Sequence, residues 1–274
     1  MIRRHFIAAL GVAALVAAGA LLGRPAAADD SVLDQVKSRG TLRVAGVVFP
    51  PLIIRRPSGE YYGADVDLLN KLADQLGVKL QFVDAGWDTI VAGITTGKWD
   101  IGPSLCVTDK RKEVIDYSST YIMLGGVLTV LKDNSKINSL EDANKPDVTF
   151  ADVSGGWGEQ IGKKAFPNAQ HKVFGSATDD QIAEEVLSGR VDAAIFDTPI
   201  TITRLVEKLG DKFKFYPSKD KPIDVVPCPI AWGVKKGDTK WNGAVSGFID
   251  DEKKSGDLQK LVDKYMTTKF ITVQ

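Results

Sequence analysis

From Thr41 onward, short apolar runs alternate with segments of helical period. Thr41–Val48 alternates as a half-buried strand does. In the next segment Val66, Leu69, Ala73 and Leu76 recur at spacings of 3, 4 and 3, which marks one face of a helix. Asp65 is placed to cap that helix and Gly77 to end it. Val78–Val83 reads as a strand, Trp87–Thr96 as a helix closed by Gly97, and Trp99–Ser104 as a third strand. Strand, helix, strand, helix, strand is the pattern of a parallel sheet with crossover helices. The later half echoes it. Val148–Val153 predicts a strand, Gly155-Gly156 a turn into a helix, and Asp180–Leu187 another helix ended by Gly189. Gly189-Arg190-Val191-Asp192 then mirrors Gly97-Lys98-Trp99-Asp100, each at the end of a helix and the start of a buried strand. The fold class is therefore α/β, with one plan used twice. Gly125–Leu131 reads as an extended segment leaving the first half, and Asp224–Trp232 as the return.

The first residues follow a different pattern. Arg3, Arg4 and His5 precede an apolar run of 17 residues, Phe6–Leu22, and Ala26-Ala27-Ala28 follows. A basic start, a short apolar run and a small-residue site predict a cleaved signal peptide over 1–28. The run is short for a span of ~20 residues. With no cysteine at the cleavage site, a lipid anchor is not expected, and a periplasmic protein is. Removing 1–28 lowers Lys plus Arg from 35 to 32 against 35 acidic residues, a net charge of −3. That balance speaks against nucleic acid as a partner.

Open parallel sheets bind ligands at the carboxyl ends of their strands. Here those ends deliver Ser104–Arg111 from one half and Phe196-Asp197-Thr198-Pro199 from the other. Arg111 offers a planar fork of donors suited to a carboxylate. Read alone, within Asp109-Lys110-Arg111-Lys112-Glu113, it is better explained as a solvated loop charge. Asp197, at the end of an apolar strand, has a capping alternative in the following helix.

The order and spacing of several short motifs bear on this choice. They are Gly63-x-Asp65-Val66-Asp67-Leu68, Trp87-Asp88, Gly97-Lys98-x-Asp100, Thr108-x-x-Arg111-Lys112, Asp116-Tyr117-Ser118 and Val191-Asp192-Ala193-x-x-x-Asp197. Together, from Leu42 to about Tyr265, the chain resembles the periplasmic solute-binding proteins of the polar amino acid type, family 3. The resemblance implies the type II periplasmic binding protein fold. Two lobes would each be a mostly parallel sheet flanked by helices, joined by two hinge strands. Lobe one would take 29–127 and 229–274, and lobe two 128–228. It also implies a receptor that closes on an amino acid or related zwitterion and delivers it to an ABC transporter permease, as a monomer and without a cofactor.

Carried over residue by residue, the resemblance gives Arg111 the ligand's α-carboxylate and Asp197 its α-ammonium. Phe49 and Trp87 would pack on the ligand's side chain, Trp87 having a core role as its alternative. Ser104 and Cys106 join the site on the same basis. Ser154, Gly155, Gly156 and Trp157 would approach the carboxylate through backbone N–H groups, which glycines permit. The family commonly has an aromatic at Leu52, a hydroxyl at Cys106 and a hydroxyl at Gly156, and Trp157 is unusual for it. These departures imply a pocket favouring an apolar, aromatic or cationic side chain.

The family topology brings Cys228 beside Cys106, either as a disulfide or as two buried thiols. Two cysteines with His5 and His171 do not make a metal site. No Ser-His-Asp or Cys-His arrangement is expected, since His5 leaves with the signal and His171 stands alone. Two alternatives use the same fold. One is a cyclohexadienyl or arogenate dehydratase-like enzyme, for which Glu159 is the nearest acid. The other is a receptor presenting its ligand to a membrane sensor. Asp65 and Asp67 are read as helix-terminal charges rather than site acids.

Overall fold

The computed structural model describes residues 30–197, 205, 209–216, 227–266 and 272–273; the expected signal segment lies outside them. Helix α1 (Val32–Arg39) leads into β1 (Thr41–Gly46), the short pair β2 (Ile54–Arg55) and β3 (Tyr61–Tyr62), α2 (Ala64–Leu76), β4 (Lys79–Asp84) and α3 (Ile90–Thr95). Then come β5 (Gly102–Cys106), the one-turn α4 (Asp109–Lys112), β6 (Ile115–Tyr117) and the long β7 (Ile122–Leu131). The second half contains β8 (Thr149–Val153), α5 (Trp157–Ala165), β9 (Gln170–Phe174), α6 (Asp179–Leu187), β10 (Ala193–Asp197) and β11 (Phe213–Tyr216). The chain returns through β12 (Pro227–Lys235) to α7 (Thr239–Ser255), α8 (Asp257–Tyr265) and β13 (Thr272–Val273).

β1 and β4 pair in parallel from Thr41↔Lys79 to Gly46↔Asp84, and Val44 bridges Ile101 in the same sense. β8 lies parallel to both β9 and β10. β7 joins the two halves. Its first residues pair with β12 (Ile122↔Ile230, Gly125↔Pro227), and from Gly126 on it pairs with β10 (Gly126↔Asp197). β12 runs antiparallel to β5, with Ile230 opposite Cys106. The extended segments expected to link the halves are thus adjacent strands. Asp224–Val226, at the start of the expected return, lie outside the described residues.

The repeated Gly-basic-x-Asp motif has a physical reason. The N–H of Asp100 donates to Arg43 O (2.8 Å), and its carboxylate accepts the N–H of Arg43 (2.8 Å) and a guanidinium N–H of the same residue (2.8 Å). Asp192 does the same in the second half: its N–H donates to Thr149 O (2.8 Å), and its carboxylate accepts from Thr149 N (3.0 Å) and Lys136 Nζ (3.0 Å). Each Asp therefore clasps the first strand of its own half, and in both cases the preceding Gly stands at φ 69, where a side chain is strained.

Three local expectations change. Asp65 does not cap α2. Gly63 holds that position at φ 133, where a Cβ would strike the Leu52 carbonyl, and Asp65 is turned inward and 1% exposed. The helix expected from Trp87 begins at Ile90, because Thr89 Oγ1 closes a turn onto Gly86 N (3.1 Å). Trp87 is thereby a loop residue. The third strand starts at Gly102 rather than Trp99, since Trp99 is buried under α3 with Nε1 donating to Ile90 O (2.9 Å).

Candidate ligand cleft between the strand ends

The one-turn helix α4 sets the position of Arg111. Thr108 is its N-cap and accepts the Arg111 N–H (3.3 Å). Lys110 and Lys112 remain exposed, while Arg111 turns inward and is 4% exposed. Its Nη1 donates to Cys106 O (3.0 Å) and its Nη2 to Gly155 O (2.9 Å), whereas its buried Nε has no hydrogen-bond partner. No carboxylate among the described residues forms an ion pair with it. Burial pushes its pKa below the usual guanidinium value, with neighbouring Tyr117 opposing. A buried cation whose partners among the described residues are two carbonyls and a neutral tyrosine is an incomplete anion site.

Arg111 lines a cavity with Phe49, Trp87, Ser104, Cys106, Gly156, Trp157 and Asp197, all expected in the site. About 70 Å³ of the cavity is open to the centres of water molecules. Phe49 and Trp87 meet edge to face, with centroids 5.6 Å apart. Asp197 ends β10 and is 9% exposed. Hydrogen bonds from Arg111 to Gly155 O and from Ser176 Oγ to Asp88 Oδ2 (3.1 Å) span the cleft. Cys106 is joined to Cys228 by a disulfide with Cα atoms 5.1 Å apart, which ties the end of β5 to the start of β12.

The loop at 154–157 departs from expectation. Ser154 N donates to Phe174 O (2.9 Å), Gly155 N to Glu159 Oε2 (2.8 Å) and Gly156 N to Val153 O (2.9 Å). These amides are already used within the chain. Ser154 and Gly155 are not in the cavity wall, and Gly155 contributes its carbonyl to Arg111 instead. The indole of Trp157 lies partly against Gly126, where a Cβ would collide with it, so it packs on the strand joining the halves as well as on the cavity.

Other groups were not foreseen. Asp152, Asp179, Ile182 and Ile195 also line the cavity. His171 does not stand alone: its Nδ1 lies 2.7 Å from Asp152 Oδ2, and the other Asp152 oxygen is buried without a hydrogen-bond partner. Burial raises the Asp152 pKa, and His171 opposes that shift. The signal was an acid inside the apolar run Val148–Val153. Partial burial works to raise the Glu159 pKa, but the hydrogen bonds from Lys163 and the Gly155 N–H outweigh it and leave the pKa below the usual value; Oε1 lies 2.6 Å from Lys163 Nζ.

Asp65 is the other missed group. It sits behind Ser104 and accepts hydrogen bonds from Ser104 Oγ, Tyr121 Oη and Trp232 Nε1. Burial raises its pKa to about 6 against those hydrogen bonds. A raised folded pKa means that its stability contribution is fully present below its ordinary value of 3.8 and is lost as pH rises through about 6. Between about pH 3.5 and 7.5, wild type should lose about 3 kcal/mol relative to Asp65→Asn. Urea denaturation at each pH measures this, and a difference that stays constant with pH would show that Asp65 titrates normally.

The sequence matches the profile of the bacterial extracellular solute-binding proteins, family 3, over residues 42–268. The chain belongs to that family. The L-cystine-binding protein TcyJ of Escherichia coli is 27% identical over 241 residues, 87% of each chain. Cyclohexadienyl dehydratase of Pseudomonas aeruginosa is 27% identical over 197 residues, 71% of each. The crystal structure of the ancestral amino acid-binding protein AncCDT-1, a precursor of cyclohexadienyl dehydratase, superposes with a TM-score of 0.73 at 34% identity, covering 86% of this chain and 99% of that one. A binding component from Wolinella succinogenes complexed with lysine gives a TM-score of 0.72 at 28% identity, covering 84% and 97%. The family 3 member thus has the two-lobed type II fold, and its cleft lies where the strand ends meet.

Proposed function

We propose that this solute-binding protein is the periplasmic receptor of an ABC transporter, closing on an amino acid whose α-carboxylate completes Arg111. The incomplete anion site carries the reading. A buried guanidinium lines the cavity from one half, hydrogen-bonded to two carbonyls, and Asp197 lines the same cavity from the other half. One cation and one anion on opposite walls suit an α-carboxylate and an α-ammonium. A ligand touching both walls stabilises the closed form. The lobes divide at residues 127/128 and 228/229, with 1–28 removed on export.

The wall also carries Asp152 and Asp179. The departures at Cys106, Gly156 and Trp157, together with the lysine-bound neighbour, support an amino acid with a cationic side chain. Thermal unfolding of residues 29–274, stripped of ligand, tests this against each of the twenty L-amino acids. At 100 times its Kd a ligand adds about 2.7 kcal/mol of stability. Arginine or lysine is expected to give the largest shift, and the shift should vanish in Asp197→Ala. No shift with any α-amino acid would sink the reading.

The relative that is a dehydratase makes turnover worth measuring. Such chemistry needs a proton donor at the substrate. Glu159 is outside the cavity wall, and Asp152, which is in it, is hydrogen-bonded to His171. No turnover of prephenate or arogenate is expected.

A further inference from the structure

Asp65 is enclosed in the first half of the molecule, and each side chain reaching it donates. Ser104 Oγ lies 2.5 Å from Oδ2, Tyr121 Oη 2.6 and 2.7 Å from the two oxygens, and Trp232 Nε1 3.3 Å from Oδ2. The Ser104 N–H points at it too. No Arg, Lys or His among the described residues pairs with it. A buried carboxylate without a cation is costly, and packing α2 needs none at this position: Leu68, Leu69 and Leu72 already fill that face.

Its donors come from three places that matter for binding. Ser104 is in the cavity wall, at the end of the strand that leads to Arg111. Tyr121 immediately precedes β7, and Trp232 is in β12, so both strands that join the halves are tied to the same carboxylate. Ser104 is also one of two non-glycine residues with positive φ among those described, at φ 55. Such backbone persists only when its surroundings hold it. Here Asp65 takes both Ser104 donors. With its proton committed to Asp65, the Ser104 hydroxyl has only lone pairs left for any further partner.

We propose that Asp65 is a positioning residue that fixes Ser104 as a pure acceptor for the ligand's ammonium group, so that affinity is set by the ionisation of Asp65. This rests on the amino acid reading of the cleft. A protonated Asp65 carries its own donor and meets four others, three from side chains and one from the Ser104 backbone. One of them is displaced, and Ser104 is freed to turn its O–H toward the cavity, where it opposes an ammonium. Burial places this change near pH 6. Among the described residues, Tyr121 is the titratable side chain that reaches Asp65. Asp67 on the same helix faces Lys264 and Tyr265 instead, and across the cavity stand Arg111, Asp197, Asp179 and the Asp152–His171 pair.

The test is the Kd for L-arginine, by calorimetry, at about pH 5 and about pH 7.5, in wild type, Asp65→Asn and Ser104→Ala. Wild type is expected to bind about tenfold more weakly at the lower pH, as loss of one hydrogen bond to a charged group predicts. Both variants should bind at least tenfold more weakly than wild type at the higher pH and show little change between the two. Ser104→Ala keeps the test decisive if Asp65→Asn fails to fold, because it leaves the carboxylate in place and removes only its link to the cavity. Wild-type affinity in the variants, or an undiminished pH effect in them, overturns the inference alone and would assign the pH effect to Asp152 and His171. Failure of wild type to bind L-arginine or any other amino acid overturns the amino acid reading, and this inference with it.

Discussion

Arg111→Ala is expected to weaken amino acid binding by roughly 10²-fold or more, while leaving the unliganded protein as stable as wild type or slightly more so. Charge-assisted hydrogen bonds contribute roughly 1.5–3 kcal/mol each, and a guanidinium fork presents two to a carboxylate. The unliganded protein gains nothing comparable from Arg111. The side chain is buried, its Nε lacks a hydrogen-bond partner, and its other donors reach the neutral carbonyls of Cys106 and Gly155. Removing an uncompensated buried charge removes its desolvation cost as well. Arg111→Lys should restore little, since a point charge does not reproduce a planar fork. Calorimetry gives the affinity and urea denaturation the stability. If affinity stays within a few-fold of wild type, Arg111 is not the carboxylate site. If stability falls by several kcal/mol, its role is structural.

The backbone plan was legible because it rests on local signals. The helix face of Val66, Leu69 and Ala73, the stop at Gly77 and the twin Gly-basic-x-Asp motifs all emerge where the periodicity places them. The motifs were legible as a repeat but not as a mechanism, since the Asp clasp joins residues 57 and 43 positions apart. Strand and helix starts near Trp87 and Trp99 were misplaced for a related reason. Apolar runs do not say whether a tryptophan continues an element or is folded under it, and the Thr89 turn and the Trp99–Ile90 hydrogen bond decide that.

The cleft was legible through types of side chain, less so through their partners. Eight expected residues share one cavity because strand ends of two similar halves converge. The amides of 154–156 were misjudged because a glycine-rich loop shows that backbone is accessible, not that its N–H groups are free. Asp65 looks from sequence like a first-turn helix charge, and only the arrival of Ser104, Tyr121 and Trp232 from distant strands makes it a buried acceptor. His171 looked isolated for the same reason, its partner Asp152 lying on the next strand 19 positions away.

Cys106→Ser with Cys228→Ser should cost about 2–5 kcal/mol of stability and also weaken ligand binding. The bridge closes a loop of 122 residues, for which the chain-entropy relation gives about 5 kcal/mol, an upper figure when the unfolded chain keeps structure. Its position gives it a second role. Cys106 O accepts from Arg111 Nη1 and from Tyr117 Oη (3.3 Å), so the bonded residue is part of the seat of the guanidinium. Cys228 pairs with Leu124 at the root of β7, so the same bond fixes the returning strand beside the departing one. Serine restores neither the tether nor the apolar contact of a buried sulfur. Urea denaturation of the double variant, and of wild type with and without reductant, measures the first effect, and calorimetry the second. A loss below about 1 kcal/mol would mean that strand pairing alone holds β5 against β12. A full loss of stability with unchanged affinity would separate the tether from the seat, and would show that Arg111 keeps its place through Thr108 and the α4 turn without the bridge.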